Sequence, residues 1–339
     1  MTRFIVNRVL TALVSMLGIA LVIFVVTQML PGDAARVQAG QYATEAQVEA
    51  LREKFGLDRP LIVQLGTYLA GLAQFDFGTS TRTGQPVLQE LMTRLPATLE
   101  LSLAALLVAL VIGVLLGVAA AARQGRIPDL IARIVTITAS STATFWIALL
   151  AIVLFCNTLG WFPSPIGRLP RGFAPPPGIT GMYTVDSLLT GDLALFAASL
   201  STIALPAIIL GIVASPSIIK VVRAATIRAL ASDFARTSRS FGYSPASILF
   251  RDGLRNSLLP VLTTIGIVTG FLLGGNVIIE QLFSWPGIGQ YAYQALQSHD
   301  LNALRGFALI VGIVYVTLNM VLDILYTFVD PRVQFKAAA

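Results

Sequence analysis

The sequence predicts an all-α, polytopic membrane protein with six transmembrane helices and a small extracytoplasmic domain after the first. Three observations carry this expectation. The 339 residues are 55% hydrophobic and only 12% charged, whereas about a quarter of the residues in soluble domains are charged. Six charge-poor stretches, 9–29, 101–122, 134–159, 193–219, 256–279 and 306–322, approach or exceed the roughly 20 apolar residues a helix needs to cross a hydrocarbon core. Basic residues gather in the short connections of one side: Arg3, Arg8, Arg123, Arg126, Arg133, Lys220, Arg223, Arg228, Arg236, Arg239, Arg251, Arg255, Arg332 and Lys336.

The opposite side carries Arg168 and Arg171 in one connection and Arg305 at a boundary. Segment 31–96 holds six more basic residues, but connections longer than about 60 residues largely escape the positive-inside rule. Both termini are therefore expected in the cytoplasm. The formal charge of +6 belongs mostly to the inner face, where attraction to anionic lipid explains it without nucleic acid.

The first stretch follows Arg3 and Arg8 as a signal peptide would. Its apolar run exceeds the ~7–15 residues of such a peptide and no small-residue cleavage site follows, so it reads as a retained span. Within the external segment 31–96, a helix is expected from Thr44 to Phe55. Thr44 and Gln47 have the spacing of a capping box, Val48, Leu51 and Phe55 form an apolar stripe, and Gly56 follows as a stop. Pro60 restarts a helix and 78–85 is a Gly/Ser/Thr-rich loop. Tyr68, Phe75 and Phe77 suit packing on the spans or a partner.

The second span contains Gly113 and Gly117 four residues apart. The fifth has Gly266, Gly270 and Gly274 in the same register and is the favoured close helix contact, because small residues let helix backbones approach in lipid. Between the third and fourth spans, 160–192 is rich in proline and glycine and is expected to be a long irregular excursion. Asn276 and Glu280 lie one turn apart near the outer end of the fifth span, and Asn319 and Asp323 repeat that spacing near the inner end of the sixth. Their pattern leaves two readings open, pathway or gate groups and structural hydrogen bonding.

Several chemistries are excluded or disfavoured. The single cysteine, Cys156, precludes a disulfide or a CxxC metal site. The single histidine, His299, precludes HExxH zinc chemistry and reads as a solvated loop residue beside Asp300. No G-x-S-x-G nucleophile elbow occurs. The only lysines, Lys54, Lys220 and Lys336, lie outside any phosphate-binding loop, so nucleotide hydrolysis that drives this chain must come from another. No catalytic, metal or cofactor-binding residue is assigned. A transport subunit, a stand-alone channel or secondary transporter, and an intramembrane enzyme relying on Asp323 or Glu280 remain.

The stretch "DFARTSRSFGYSPASILFRDGLRNSLLP", 233–260, sets a polar, basic segment between two spans. It reads as a helix stopped at Gly242 and restarted with Ser244 as N-cap and Pro245 at the first position. Arg236 and Arg239 share a face, and Ile248, Leu249 and Leu254 oppose Arg251 and Arg255. Pattern alone leaves a lipid-surface helix and a protein-docking helix equally open.

This stretch resembles the cytoplasmic coupling loop of binding-protein-dependent ABC importer permeases of the oligopeptide/dipeptide/nickel family. So, in the same order along the chain, do "LPGDAA", "FGLDRPLIVQ", "DFGTS", "RLPATLELSLAALLVALVIGVLLG", "EQLFSWPGIGQ" and "NMVLDILYTFVDPRV". The resemblance implies a type I importer permease fold: helix 1 within 1–30, an extracytoplasmic domain 31–96, a core 97–330 with coupling loop 224–258, and a cytoplasmic tail 331–339. It implies as partners a second homologous permease subunit, two ATPase subunits that use ATP and Mg, an extracytoplasmic solute-binding protein, and the bilayer of a bacterial inner membrane. It places ATPase coupling at Asp233, Arg236, Thr237, Ser238, Arg239, Ser240, Gly242 and Tyr243. Arg236, Thr237 and Ser238 stand where the loop's Glu-Ala-Ala triplet would be, and Phe241 stands where a lysine or similar polar residue is more typical.

Overall fold

In a computed structural model, residues 2–29, 36, 43–54, 58–275 and 277–329 are described. They form α1 Thr2–Met29, α2 Glu45–Lys54, α3 Leu61–Ala73, α4 Val87–Ala122, α5 Ile127–Ser141, α6 Thr144–Ala151, α7 Tyr183–Leu189 and α8 Leu193–Leu230. These are followed by α9 Asp233–Ser240, α10 Pro245–Ser247, α11 Arg255–Gly275, α12 Val277–Leu282, α13 Ile288–Gln297 and α14 Leu301–Val329. Two π-helical stretches, Ile152–Thr158 and Ile248–Leu254, extend α6 and α10. Among the described residues the sole β feature is an isolated bridge between Thr79 and Pro86.

Four helices are long and apolar enough to cross a membrane: the Arg8–Met29 part of α1, α4, α8, and the Leu301–Ile324 part of α14. A fifth crossing exists if α5 and the α6 helix through Thr158 count as one span. The expected third span, 134–159, is therefore not straight: it begins earlier, at Ile127, and bends by 104° at 142–143. The cause is local. Thr142 turns its hydroxyl onto the Thr138 carbonyl at 2.9 Å, and Thr142 and Ala143 adopt extended backbone, the competition Ser and Thr offer to a helix ladder. In the expected fifth span the apolar helix Pro260–Gly274 is shorter than a full crossing.

The chain divides into two compact units, Met1–Pro96 with Pro286–Thr317 and Ala97–Trp285 with Leu318–Ala339. In the first, Val87, Leu91, Ile288, Tyr291, Ala303 and Ile310 build the core. α1 and α14 lie close enough that a Cβ on Gly312 would meet Ile19 at 2.9 Å. The Thr44–Gln47 capping box forms reciprocally: Gln47 Oε1 accepts from Thr44 N at 3.0 Å and Thr44 Oγ1 from Gln47 N at 3.4 Å. The expected helix stop at Phe55 and Gly56 lies outside the described residues. His299 is exposed as expected, while Asp300 is buried and caps α14 through the Ala303 amide at 3.0 Å.

In the second unit α8 is the central element, a 38-residue helix packed against α4, α5 and α11. Glycines on both α4 and α8 make the closest seam. A Cβ on Gly113 would lie 2.4 Å from Ile218 Cγ2, on Gly117 2.8 Å from Val222 Cβ, and on Gly211 2.5 Å from Val108 Cγ1. The preferred fifth-span contact is present at Gly266 but not at Gly274. There Gly266 approaches Leu322 and Asn319, at 3.1 and 3.3 Å from a built Cβ, but a Cβ on Gly274 meets no atom within 4 Å.

Candidate functional site

The expected coupling segment forms an exposed helix with a sharp corner. After α9, Gly242 adopts φ +80°, a conformation glycine takes without steric cost. The Gly242 amide bonds to the Arg239 carbonyl at 3.0 Å and the Tyr243 amide to the Ser238 carbonyl at 3.2 Å. These are the two bonds of a Schellman motif. Ser244 then caps the restart, accepting from the Ser247 amide at 3.2 Å, with Pro245 next in line.

The hydroxyls of Thr237 and Ser240 bond back to the carbonyls of Asp233 and Arg236. Arg239 reaches across to the Leu230 carbonyl at 2.8 Å, so a guanidinium capping the end of α8 ties the two helices together. Arg236 is exposed and only 3.7 Å from the equally exposed Asp233. Ala235 and Ile248 are fully buried beneath the element, whereas Phe234, Phe241, Tyr243 and Phe250 are exposed, Phe241 by 78%. The side chains of Arg251 and Arg255 lie outside those described.

A buried carboxylate fixes α5 to α8. Asp129 accepts from Arg223 Nε at 2.8 Å and Nη2 at 3.2 Å, from Arg133 Nη2 at 3.0 Å and from the Gly125 amide at 3.0 Å. Arg123, Arg126 and Arg133 had been read simply as positive-inside markers, yet Arg133 and Arg223 share one acid.

At the far end of α4 and α8 lies a second polar cluster, unanticipated from the sequence. Glu100, buried in α4, receives Arg168 Nη2 at 2.5 Å, the Thr184 amide at 2.6 Å and the Thr184 hydroxyl at 2.7 Å. The Arg168 guanidinium also donates to the Gly181 carbonyl at 2.8 Å and stacks 3.5 Å from the Tyr183 ring centroid, and its backbone carbonyl accepts from Thr202 of α8 at 2.7 Å. Asp186, wholly buried, takes the Thr180 amide and hydroxyl and the Gly181 amide at 2.7–3.0 Å. Burial opposes its charge, but these donors outweigh burial and hold its carboxyl below the ordinary range. Segment 160–192 is thus irregular as expected, except for α7, and is pinned rather than loose. A lone acid at the edge of an apolar run was the available signal, because such a charge in lipid needs a partner.

The intramembrane polar candidates do not converge. Glu280 is fully buried and accepts from Thr98 Oγ1 at 2.6 Å. The neighbouring Trp285 caps the Ala97 carbonyl through Nε1 at 2.8 Å. Asn319 sits against Gly266, Asp323 is half-buried, and Asn276 lies outside the described residues. Among the described residues no cluster of His, Cys, Asp and Glu has the composition of a metal site.

Two family models match the chain. Residues 113–335 match the binding-protein-dependent transport system inner membrane component, and residues 1–103 match the N-terminal part of such membrane components. The probable D,D-dipeptide transport system permease protein of Escherichia coli is 41% identical over 93% of each chain. The dipeptide transport system permease protein of Alkalihalophilus pseudofirmus is 33% identical over 99% of this chain and all of its own. The di/tripeptide transport system permease protein of Pseudomonas aeruginosa is 37% identical over the same shares.

Proposed function

The chain belongs to the family of binding-protein-dependent transport system inner membrane components, a permease subunit of peptide-type transport systems, and from that premise we propose how it works. It forms half of a translocation pathway for peptides or related small solutes. It pairs with a second homologous permease, two ATPase subunits and an extracytoplasmic binding protein. ATP and Mg act in the ATPase partners, not here. Six crossings, two of them broken or short, and cytoplasmic termini accord with the basic residues clustered on one side.

The single observation that carries the mechanism is α9. It is an exposed helix ended by a glycine corner and fastened by Arg239 to the last carbonyl of α8. Closure of the ATP-loaded ATPase dimer moves α9 as a lever. Arg236 and the exposed aromatic faces of Phe234, Phe241 and Tyr243 sit in the ATPase cleft, and Arg239 passes the motion to α8, which packs against α4, α5 and α11. Two discrete packings, inward- and outward-facing, then alternate. Asn276, Glu280, Asn319 and Asp323 are the pathway or gate groups of this scheme. Segments 31–96 and 160–192 face the binding protein, and the Glu100–Arg168 pair gives the latter a fixed shape.

Gly242→Pro tests the lever, because proline cannot adopt φ +80°. In the assembled complex, ATP hydrolysis persists while uptake is lost. Uptake at the normal ratio to hydrolysis in that variant refutes the mechanism.

A further inference from the structure

In the first unit a cavity of about 360 Å³ opens where the end of α1 meets the start of α14 and the face of α3. It has room for far more than a water, whose share of volume is about 30 Å³. Its lining mixes apolar side chains such as Phe24 and Leu309 with a polar set biased to positive charge, Arg305, Arg59, Tyr68, Gln28, Gln64 and a single carboxylate, Asp76. Asp76 accepts from the Gly78 amide at 2.8 Å. Half-buried Arg305 donates Nε to Thr27 Oγ1 at 2.9 Å, and no described acid lies within ion-pair reach of it. The Tyr68 hydroxyl is buried with no hydrogen-bond partner, and its ring is steadied against Phe24, 5.6 Å away.

A guanidinium whose charge meets no carboxylate, held only by a neutral hydroxyl, and a buried phenol with no hydrogen-bond partner are costly at the edge of a bilayer unless a ligand supplies the acceptor. A second cavity of about 390 Å³ adjoins the first, sharing Phe77 and Leu309 with it. Its lining is apolar, with Met16, Ala20, Leu72, Met92 and Ile313 along α1, α3, α4 and α14. Met16 to Gln28 is twelve residues of α1, so with a rise of about 1.5 Å per residue the paired cavities follow the membrane normal for roughly half the hydrocarbon depth.

We propose that these joined cavities hold one anionic phospholipid, its phosphodiester on Arg305 and Tyr68 and an acyl chain in the Met16–Ile313 groove. Charge complementarity selects an anionic headgroup over a zwitterionic one. Asp76 and Asn302, as acceptors in the same pocket, suit a headgroup that also carries hydroxyls, as phosphatidylglycerol does. The site lies toward the end of α1 opposite its N-terminus, wholly within the first unit, and does not rest on the coupling mechanism.

The complete permease–ATPase complex is purified in detergent with equal amounts of phosphatidylglycerol and phosphatidylcholine of identical chains, and lipid retention is read by native mass spectrometry. Wild type retains phosphatidylglycerol about tenfold over phosphatidylcholine, Arg305→Gln brings the two to parity, and Tyr68→Phe lowers the preference several-fold. Should Arg305→Gln fail to assemble, Tyr68→Phe carries the comparison. Equal retention of both lipids by wild type overturns the proposal. So does displacement of phosphatidylglycerol by millimolar inorganic phosphate, which marks a site for free anions.

Discussion

Glu100→Gln tests whether the buried ion pair shapes the surface offered by segment 160–192. The amide side chain can still accept from Thr184, but it replaces the carboxylate oxygen that meets Arg168 at 2.5 Å. Both partners are almost fully buried, with side-chain exposures of 6% and 3%, and removing one member of such a pair costs about 3–5 kcal/mol. Arg168 keeps the Gly181 carbonyl and the face of Tyr183, and a desolvated cation over a ring contributes about 2 kcal/mol. The expected net loss is therefore about 1–3 kcal/mol, roughly 5- to 150-fold in a local opening equilibrium.

Arg168→Met should cost a similar amount, since Glu100 retains both donors of Thr184. The double variant should cost less than the sum, by about 2 kcal/mol. Amide hydrogen exchange across 160–192 in the purified complex measures the opening directly. Uptake driven by solute-loaded binding protein should half-saturate at a higher concentration in the single variants. Single costs that add within about 0.5 kcal/mol, or unchanged exchange in this segment, would refute the reasoning.

Asp129→Asn removes the charge shared by Arg223 and Arg133. Both arginines are partly exposed, at 30% and 63%, so the loss should be modest, seen as a lower melting temperature that Asp129→Glu partly restores. Gly113→Ala drives a Cβ to 2.4 Å from Ile218 and should cost about 1–3 kcal/mol, whereas Gly274→Ala, with open space around it, should be neutral or slightly stabilising. Thermal denaturation of the two variants side by side checks the contrast. Asp186 has a depressed carboxyl pKa in the folded state, so its contribution is complete above the unfolded value of about 3.9 and declines as pH falls through the folded value. Exchange protection of 179–190 should therefore hold down to about pH 4 and fade below it, and Asp186→Asn should remove that acid dependence.

Much of this was legible along the chain. The capping box of Thr44 and Gln47, the proline restart at Pro60 and the corner at Gly242 each depend on residues within four positions of one another, where backbone sterics and short side-chain bonds decide the outcome. Hydropathy located the long crossings at α1, α4, α8 and α14. The same counting missed the 104° break at 142–143, because an apolar average does not register one threonine, Thr142, turning its hydroxyl onto the helix ladder. It also ranked the glycines of 266–274 above Gly113 and Gly117, since identical spacings look alike until a facing helix is in place.

The four long apolar helices and the glycine corner at Gly242 were thus set by composition and local pattern, the corner by residues within a turn or two of helix. The partners of Glu100, Asp129 and Arg239 were decided only by the tertiary structure. Arg168 is 68 residues from Glu100 and Arg223 is 94 from Asp129, and which acid a buried guanidinium meets follows from how whole helices pack, not from their own sequences. The glycine seam of α4 and α8 has the same origin, because a missing side chain matters only where another backbone or side chain fills its place.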